Sequence, residues 1–223
     1  MDGARAAAAN VRASLLGGDI THIDGPMVVD VVVIGNTTRP ALRRGARPGD
    51  SLWVTGELGA AAAEVHEWQH GRTPENAARL AFALPAPRIT EAAWLAGRGA
   101  IDALIDVSDG LAGDVGHIAA ASSVKILIDG AAIPIHPIVH ATFPDPADAL
   151  EMALRGGEDY ELCFAAPPLA VERLVDLFRS TFDLQLTCIG TVLQGSGVFL
   201  RDLSGTVEEL QYSGYDHLQG GVP

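Results

Sequence analysis

The sequence contains a single lysine, Lys125, and Ile126 follows it. The GxxxxGK[ST] phosphate loop, which needs a lysine before Ser or Thr, therefore occurs nowhere in the chain. Positive charge is scarce in general. Against 28 Asp and Glu there are 15 Lys and Arg, and the net charge of −13 repels polyanions, which argues against nucleic acid or an anionic membrane as a partner. A phosphate ligand must arrive with a metal ion or meet a local arginine. Cysteine is nearly absent: Cys163 and Cys188 each lie in an apolar run, which predicts two buried free thiols in a reducing compartment rather than a disulfide framework or a zinc ribbon. No apolar run approaches membrane-spanning length, and the alanine-rich start is cut by Asp2, Arg5, Asn10 and Arg12, unlike a signal peptide. These absences together predict a cytoplasmic protein.

What is present is enough apolar material for a core: 48% of the 223 residues are hydrophobic. Residues 4–16 read as a helix stopped by Gly17-Gly18, and Met27 to Ile34 as a β-branched strand broken only by Asp30. The Pro/Gly/Arg-rich stretch 36–50 reads as a domain boundary. Beyond it, strands are expected at 52–55, 100–107, 124–128, 160–165, 184–189 and 198–201. Helices are expected at 59–70, from an N-cap at Thr90 to about Gly97, from Leu111 through Val115 and Ile118, from Asp145-Pro146 to Leu154, and around Val171, Leu174, Val175 and Phe178. This alternation predicts an α/β or α+β fold.

Three turns place carboxylates beside glycine: Gly17-Gly18-Asp19, Asp106-Val107-Ser108-Asp109-Gly110, and Gly156-Gly157-Glu158-Asp159-Tyr160-Glu161-Leu162. One such turn alone reads as a helix cap. Three suggest a shared purpose, because carboxylates suit hard Mg²⁺ and free amides at a helix start suit phosphate.

At these residues the chain resembles the thiamine-monophosphate kinase family, one of the ATP-dependent enzyme families that include aminoimidazole ribonucleotide synthetase and selenophosphate synthetase. The resemblance runs through GGDIT (Gly17 to Thr21), LRRGARPGD (Leu42 to Asp50), VTGELG (Val54 to Gly59), IDVSDGLAGDVGHI (Ile105 to Ile118), GGEDYELCF (Gly156 to Phe164) and GYDH (Gly214 to His217). It implies Mg²⁺-dependent transfer of the ATP γ-phosphate to thiamine monophosphate, giving thiamine diphosphate and ADP. It further implies that Gly18, Asp19, Arg43 and Ser108 contact ATP, that Asp19, Asp106 and Asp109 hold magnesium with Asp106 and Asp109 at the catalytic centre, and that Glu158 and Tyr215 hold the substrate. Arg44 and Arg47 have no such match.

The sequence departs from the family in two places. Ile20-Thr21-His22 stands where threonines and arginine are usual, and an N-terminal segment carrying a Gly-Asp-Asp turn and further metal-binding aspartates is not in the sequence. The resemblance thus implies that residues 1–45 are a remnant of an N-terminal α/β ATP-binding and dimerisation domain, with 46–223 a C-terminal α/β domain of mixed sheet and flanking helices. It implies a homodimer when the N-terminal segment is supplied, and slow turnover by this chain alone. Two alternatives stand beside the kinase: a homologue that binds nucleotide or thiamine phosphate without catalysis, and a zinc hydrolase built on His66-Glu67-Trp68-Gln69-His70.

Overall fold

A computed structural model describes residues 2–73 and 76–211. The chain divides into two compact units, Met1–Pro40 and Ala41–Pro223. In the smaller unit, α1 (Asp2–Asn10) is shorter than expected, and the left-handed residue after it is Arg12 (φ 57°), not a glycine. The expected strand at 27–34 does not form. Its β-branched residues favour extended backbone, but a strand needs a partner for its amides and carbonyls, and none pairs with it among the described residues. Met27, Val28, Val29, Val31, Val32, Val33 and Ile34 are all exposed.

The larger unit runs β1 (Ser51–Thr55), α2 (Ala60–Gln69), α3 (Asn76–Ala83), α4 (Ile89–Gly97), β2 (Ala103–Asp106), α5 (Leu111–Ser122), β3 (Lys125–Asp129), α6 (Pro137–Thr142), α7 (Pro146–Arg155), β4 (Leu162–Ala166), α8 (Pro168–Glu172), α9 (Val175–Phe182), β5 (Leu186–Leu193), β6 (Gly197–Arg201) and β7 (Val207–Glu209). The described strands form one mixed sheet in the order β2-β4-β1-β5-β3-β6-β7, antiparallel throughout except where β3 runs parallel to β6. The strands β1 and β4 are buried along their whole length because both faces are covered. On one face Leu52, Val54 and Cys163 meet Leu111, Val115 and Ile118 of α5 and Leu150 and Leu154 of α7. On the other, Trp53 and Phe164 meet Leu95 of α4, Val171 of α8 and Phe178 of α9.

Local signals explain most boundaries. Asp145 caps α7 by accepting from the Ala147 amide at 2.8 Å, and Pro146 takes the first helical position, where its missing N–H costs nothing. Thr90 does not cap α4. Arg88 occupies the N-cap position and its side chain is engaged elsewhere. The periodicity at Val171 to Phe178 is split between α8 and α9, with the Leu174 amide closing a tight turn onto the Val171 carbonyl at 2.7 Å. Cys163 is buried as expected, whereas Cys188 is exposed because it lies on the opposite side of β5 from the buried Ile189; both thiols are free.

The stretch 41–50 is bonded to the larger unit. The Leu42 carbonyl accepts from the Leu104 amide at 2.8 Å, the Gly49 amide donates to Val192 at 2.9 Å, and Asp50 is buried with its carboxylate on the Arg47 amide at 2.8 Å. Residues 13–40, by contrast, contain no buried side chain. Limited digestion of the folded protein with a broad-specificity protease is expected to cut first within 13–40 and leave a resistant fragment beginning near Ala41. First cleavage between Arg47 and Thr55 would contradict this.

Candidate functional site

Two of the three acidic turns come together, and they do so through backbone. The strand β2 ends at Asp106, the turn Val107 to Gly110 follows, and α5 starts at Leu111. Across from it runs the loop between α7 and β4. The Glu158 amide donates to the Ser108 carbonyl at 2.9 Å, the Tyr160 amide to the Val107 carbonyl at 2.8 Å, and the Val107 amide to the Glu161 carbonyl at 2.8 Å. The approach is close enough that a Cβ on Gly157 would come within 2.5 Å of the Ser108 carbonyl oxygen, so glycine is required there for space.

Successive side chains of this loop go opposite ways. Asp159 and Glu161 turn inward as anchors. The Asp159 carboxylate accepts from the Gly59 amide at 2.9 and 3.0 Å, capping α2 from a distant point in sequence. Glu161 is buried and receives both arms of Arg88, at 3.0 and 2.6 Å, and the Thr55 hydroxyl at 2.5 Å. Gly56, left-handed at φ 62°, makes room for that carboxylate, since a Cβ there would collide with it. Glu158 remains exposed, with the Tyr160 hydroxyl donating to its Oε2 at 2.9 Å.

The facing turn is held by Asp114, in the first turn of α5 and 1% exposed, whose Oδ2 accepts from the Ser108 and Asp109 amides at 2.9 and 3.1 Å. Asp106 and Asp109 are thereby left exposed at one end of the sheet. The ligand atoms of Asp109, Asp114 and His117 lie within 4.8 Å of one another, the one such three-residue group among the described residues. Sequence reasoning missed Asp114 and Asp159. The signal for Asp114 was an acid in a first helical turn, a position that favours a carboxylate for the helix dipole and so does not single it out.

Beside Asp106 opens a cleft of about 800 Å³, walled by Leu42, Leu104 and Ala121, with Arg43 and Arg44 at its edge. Ser122 fixes this edge: its hydroxyl accepts from the Gly45 and Ala46 amides at 3.1 and 3.2 Å and donates to the Arg43 carbonyl at 3.4 Å. Apolar walls, an arginine and a carboxylate are a donor set suited to a nucleotide with its metal. Gly18 and Asp19 belong to the smaller unit, where Asp19 Oδ1 accepts from the Ile20 amide at 2.8 Å. Tyr215 lies outside the described residues.

The rings of His66 in α2 and His70, the residue that caps its C-terminus, lie with centroids 4.2 Å apart, but Glu67 is held by Arg72 at 2.7 and 2.6 Å and no third ligand joins them among the described residues. A zinc hydrolase needs that glutamate free as a base. His136 stands outside α6 as its N-cap, accepting from the Ile138 amide at 3.2 Å, so it does not share a helix face with His140.

Comparison with known proteins identifies the family. Residues 47–202 match the family model described as AIR synthase related protein, C-terminal domain, and the chain belongs to that family. Within it, the chain is similar to the thiamine-monophosphate kinases of Escherichia coli K12, 36% identical over 213 residues and 91% of this chain, and Pyrococcus abyssi, 32% identical over 208 residues and 93% of this chain. It spans 63% and 62% of the lengths of those two relatives. Among solved structures, thiamine-monophosphate kinase from Stenotrophomonas maltophilia K279a is 38% identical with a TM-score of 0.66, covering 72% of this chain and 52% of that one. AaThiL complexed with AMPPCP and TMP is 30% identical with a TM-score of 0.66, covering 80% and 54%. The hydrogenase maturation protein HypE of Escherichia coli, 24% identical with a TM-score of 0.62, shares the fold.

Two inward carboxyls titrate high. Burial pushes Asp159 up to about 7, against the pull of the Gly59 amide, and pushes Asp114 up to about 6, against the Asp109 and Ser108 amides. Both folded values exceed the unfolded one, so the folded chain holds extra protons from about pH 4 up to those values, and stability from these groups falls as pH rises through that window. Asp159→Asn does not ionise. Its stability relative to wild type, read by urea unfolding, is expected to rise between about pH 5 and about pH 7.5. An unchanged or falling difference would contradict the assignment.

Proposed function

We propose that this chain carries part of the active site of an Mg²⁺-dependent phosphotransferase that moves the ATP γ-phosphate to thiamine monophosphate, releasing thiamine diphosphate and ADP. The observation that carries the reading is the backbone pairing of Val107 and Ser108 with Glu158 and Tyr160, which sets the exposed carboxylates of Asp106 and Asp109 beside that of Glu158 and next to an open groove of about 800 Å³. The 30–36% identity to thiamine-monophosphate kinases supports the substrate class.

In this reading Asp106 and Asp109 hold Mg²⁺, as exposed oxygen ligands suited to a hard cation; the family resemblance gives Asp19, in the smaller unit, a magnesium role of its own. Bound there, the ion would neutralise charge on the transferring phosphoryl group, which is the main demand of this chemistry. Arg43 meets phosphate, Ser108 contacts ATP, and the walls around Leu42 and Leu104 receive the base; the family resemblance gives Gly18, in the smaller unit, an ATP contact of its own. Asp114 fixes the Ser108 and Asp109 amides so that the turn needs no rearrangement on binding. Glu158 receives the cationic substrate, a role the family resemblance also gives Tyr215.

The reading extends to a cytoplasmic protein that forms a homodimer when the N-terminal segment of its relatives is supplied. Two free thiols fit a reducing compartment, and the exposed apolar run 27–34 calls for a partner strand. Among the described residues no helix is long and apolar enough to cross a membrane.

Titration calorimetry tests the site residue by residue. Asp106→Asn is expected to weaken MgATP binding by about tenfold or more while sparing thiamine monophosphate, and Glu158→Gln to do the reverse. Equal affinities for wild type and both variants would overturn the assignment. An ADP-release assay on the same samples separates a working kinase from a homologue that binds without turnover.

A further inference from the structure

The loop contains one contact that neither anchors it nor belongs to the assigned ligand set: the Tyr160 hydroxyl on Glu158. We propose that Tyr160 is a positioning residue for Glu158, holding one carboxylate oxygen so that the other is kept for the substrate. The inference rests on the reading of Glu158 as the residue that receives thiamine monophosphate.

Geometry carries it. Glu158 and Tyr160 both adopt left-handed backbone, at φ 69° and 53°, which is unfavourable for side chains of their size and persists only where the surroundings impose it. Here the surroundings do. The amides of both residues are bonded to the Ser108 and Val107 carbonyls, and the intervening Asp159 is tied to Gly59. With the backbone so held, the two side chains emerge on the same side of the loop, and the phenol donates to Glu158 Oε2 at 2.9 Å. No described residue bonds Oε1.

An exposed glutamate otherwise samples many rotamers, and fixing one of them on binding costs affinity. A phenol next door removes much of that cost in advance. It also remains a donor across the physiological range, because the Glu158 hydrogen bond and burial push the Tyr160 hydroxyl up to about 12, helped by the charges of Glu158, Asp106 and Asp109. A carboxylate oriented in this way suits a substrate that bears a cationic ring.

Calorimetry on Tyr160→Phe, Glu158→Gln and the double variant tests the proposal. Tyr160→Phe is expected to weaken thiamine monophosphate by about three- to tenfold, the loss of one hydrogen bond to a charged group, and to leave MgATP within about twofold. In the Glu158→Gln background the same change is expected to cost less than about twofold, because the phenol acts through the carboxylate. Equal losses in both backgrounds, or a matching loss of MgATP binding, would overturn it in favour of a merely structural tyrosine. If the wild-type chain does not bind thiamine monophosphate, the kinase reading fails, and the pair is still judged by nuclear magnetic resonance of isotope-labelled tyrosine rings. The Tyr160 ring-carbon signal, assigned by its disappearance in Tyr160→Phe, is expected to shift on Glu158→Gln at neutral pH. No shift would refute the pairing.

Discussion

The ion pair between the buried Glu161 and the partly exposed Arg88 governs the arrangement of the site. Arg88 spans Nε and a terminal nitrogen onto both oxygens of Glu161, and Thr55 completes the set by donating to Oε2 while accepting from the Leu162 amide at 2.8 Å. Taking two charges out of water consumes most of what their attraction returns, so the pair adds little net stability compared with an apolar replacement. Its consequence is positional. A carboxylate at 6% exposure can be accommodated only where Arg88 and Thr55 wait for it, which sets the register of the loop entering β4. Removing Arg88 leaves the buried Glu161 carboxylate with no counter-ion, whereas removing Glu161 leaves Arg88 its solvent and Glu91.

From that constraint the two most distinctive sequence blocks turn out to be halves of one device. VTGELG supplies Thr55 to Glu161, the space at Gly56 for its carboxylate, and the Gly59 amide to Asp159. GGEDYEL supplies the inward pair Asp159 and Glu161 and the outward pair Glu158 and Tyr160. Each anchor residue therefore aims its neighbour outward. The Ser108 turn is built by the same economy: the buried Asp114 takes two amides so that Asp106 and Asp109 stay free at the surface. Buried carboxylates do the holding and exposed ones are left for ligands.

Much of this fold was legible in the sequence because apolar periodicity reports burial. Leu111, Val115 and Ile118, the fully buried β1 and β4, and the Asp145-Pro146 cap all read correctly. The failures share a cause, which is that a linear pattern does not show partners. The run 27–34 has the composition of a strand and no ladder to join. The three-residue β7, exposed throughout, is too short to show a period, and the eight-residue α3 was passed over. At the site, the acidic turns were evident as motifs, but which carboxylates face ligand was not. Asp159 and Glu161 are chemically like Glu158 and differ only in what waits for them 100 and 106 residues away along the chain.

Amide hydrogen exchange in Glu161→Gln, followed residue by residue, tests the central claim most directly. If Glu161 fixes the loop, the Glu158 and Tyr160 amides, which donate to Ser108 and Val107, exchange about tenfold faster or more, while amides of β5 keep their wild-type protection. Unchanged protection at Glu158 and Tyr160, or a uniform loss across the sheet, would contradict the account.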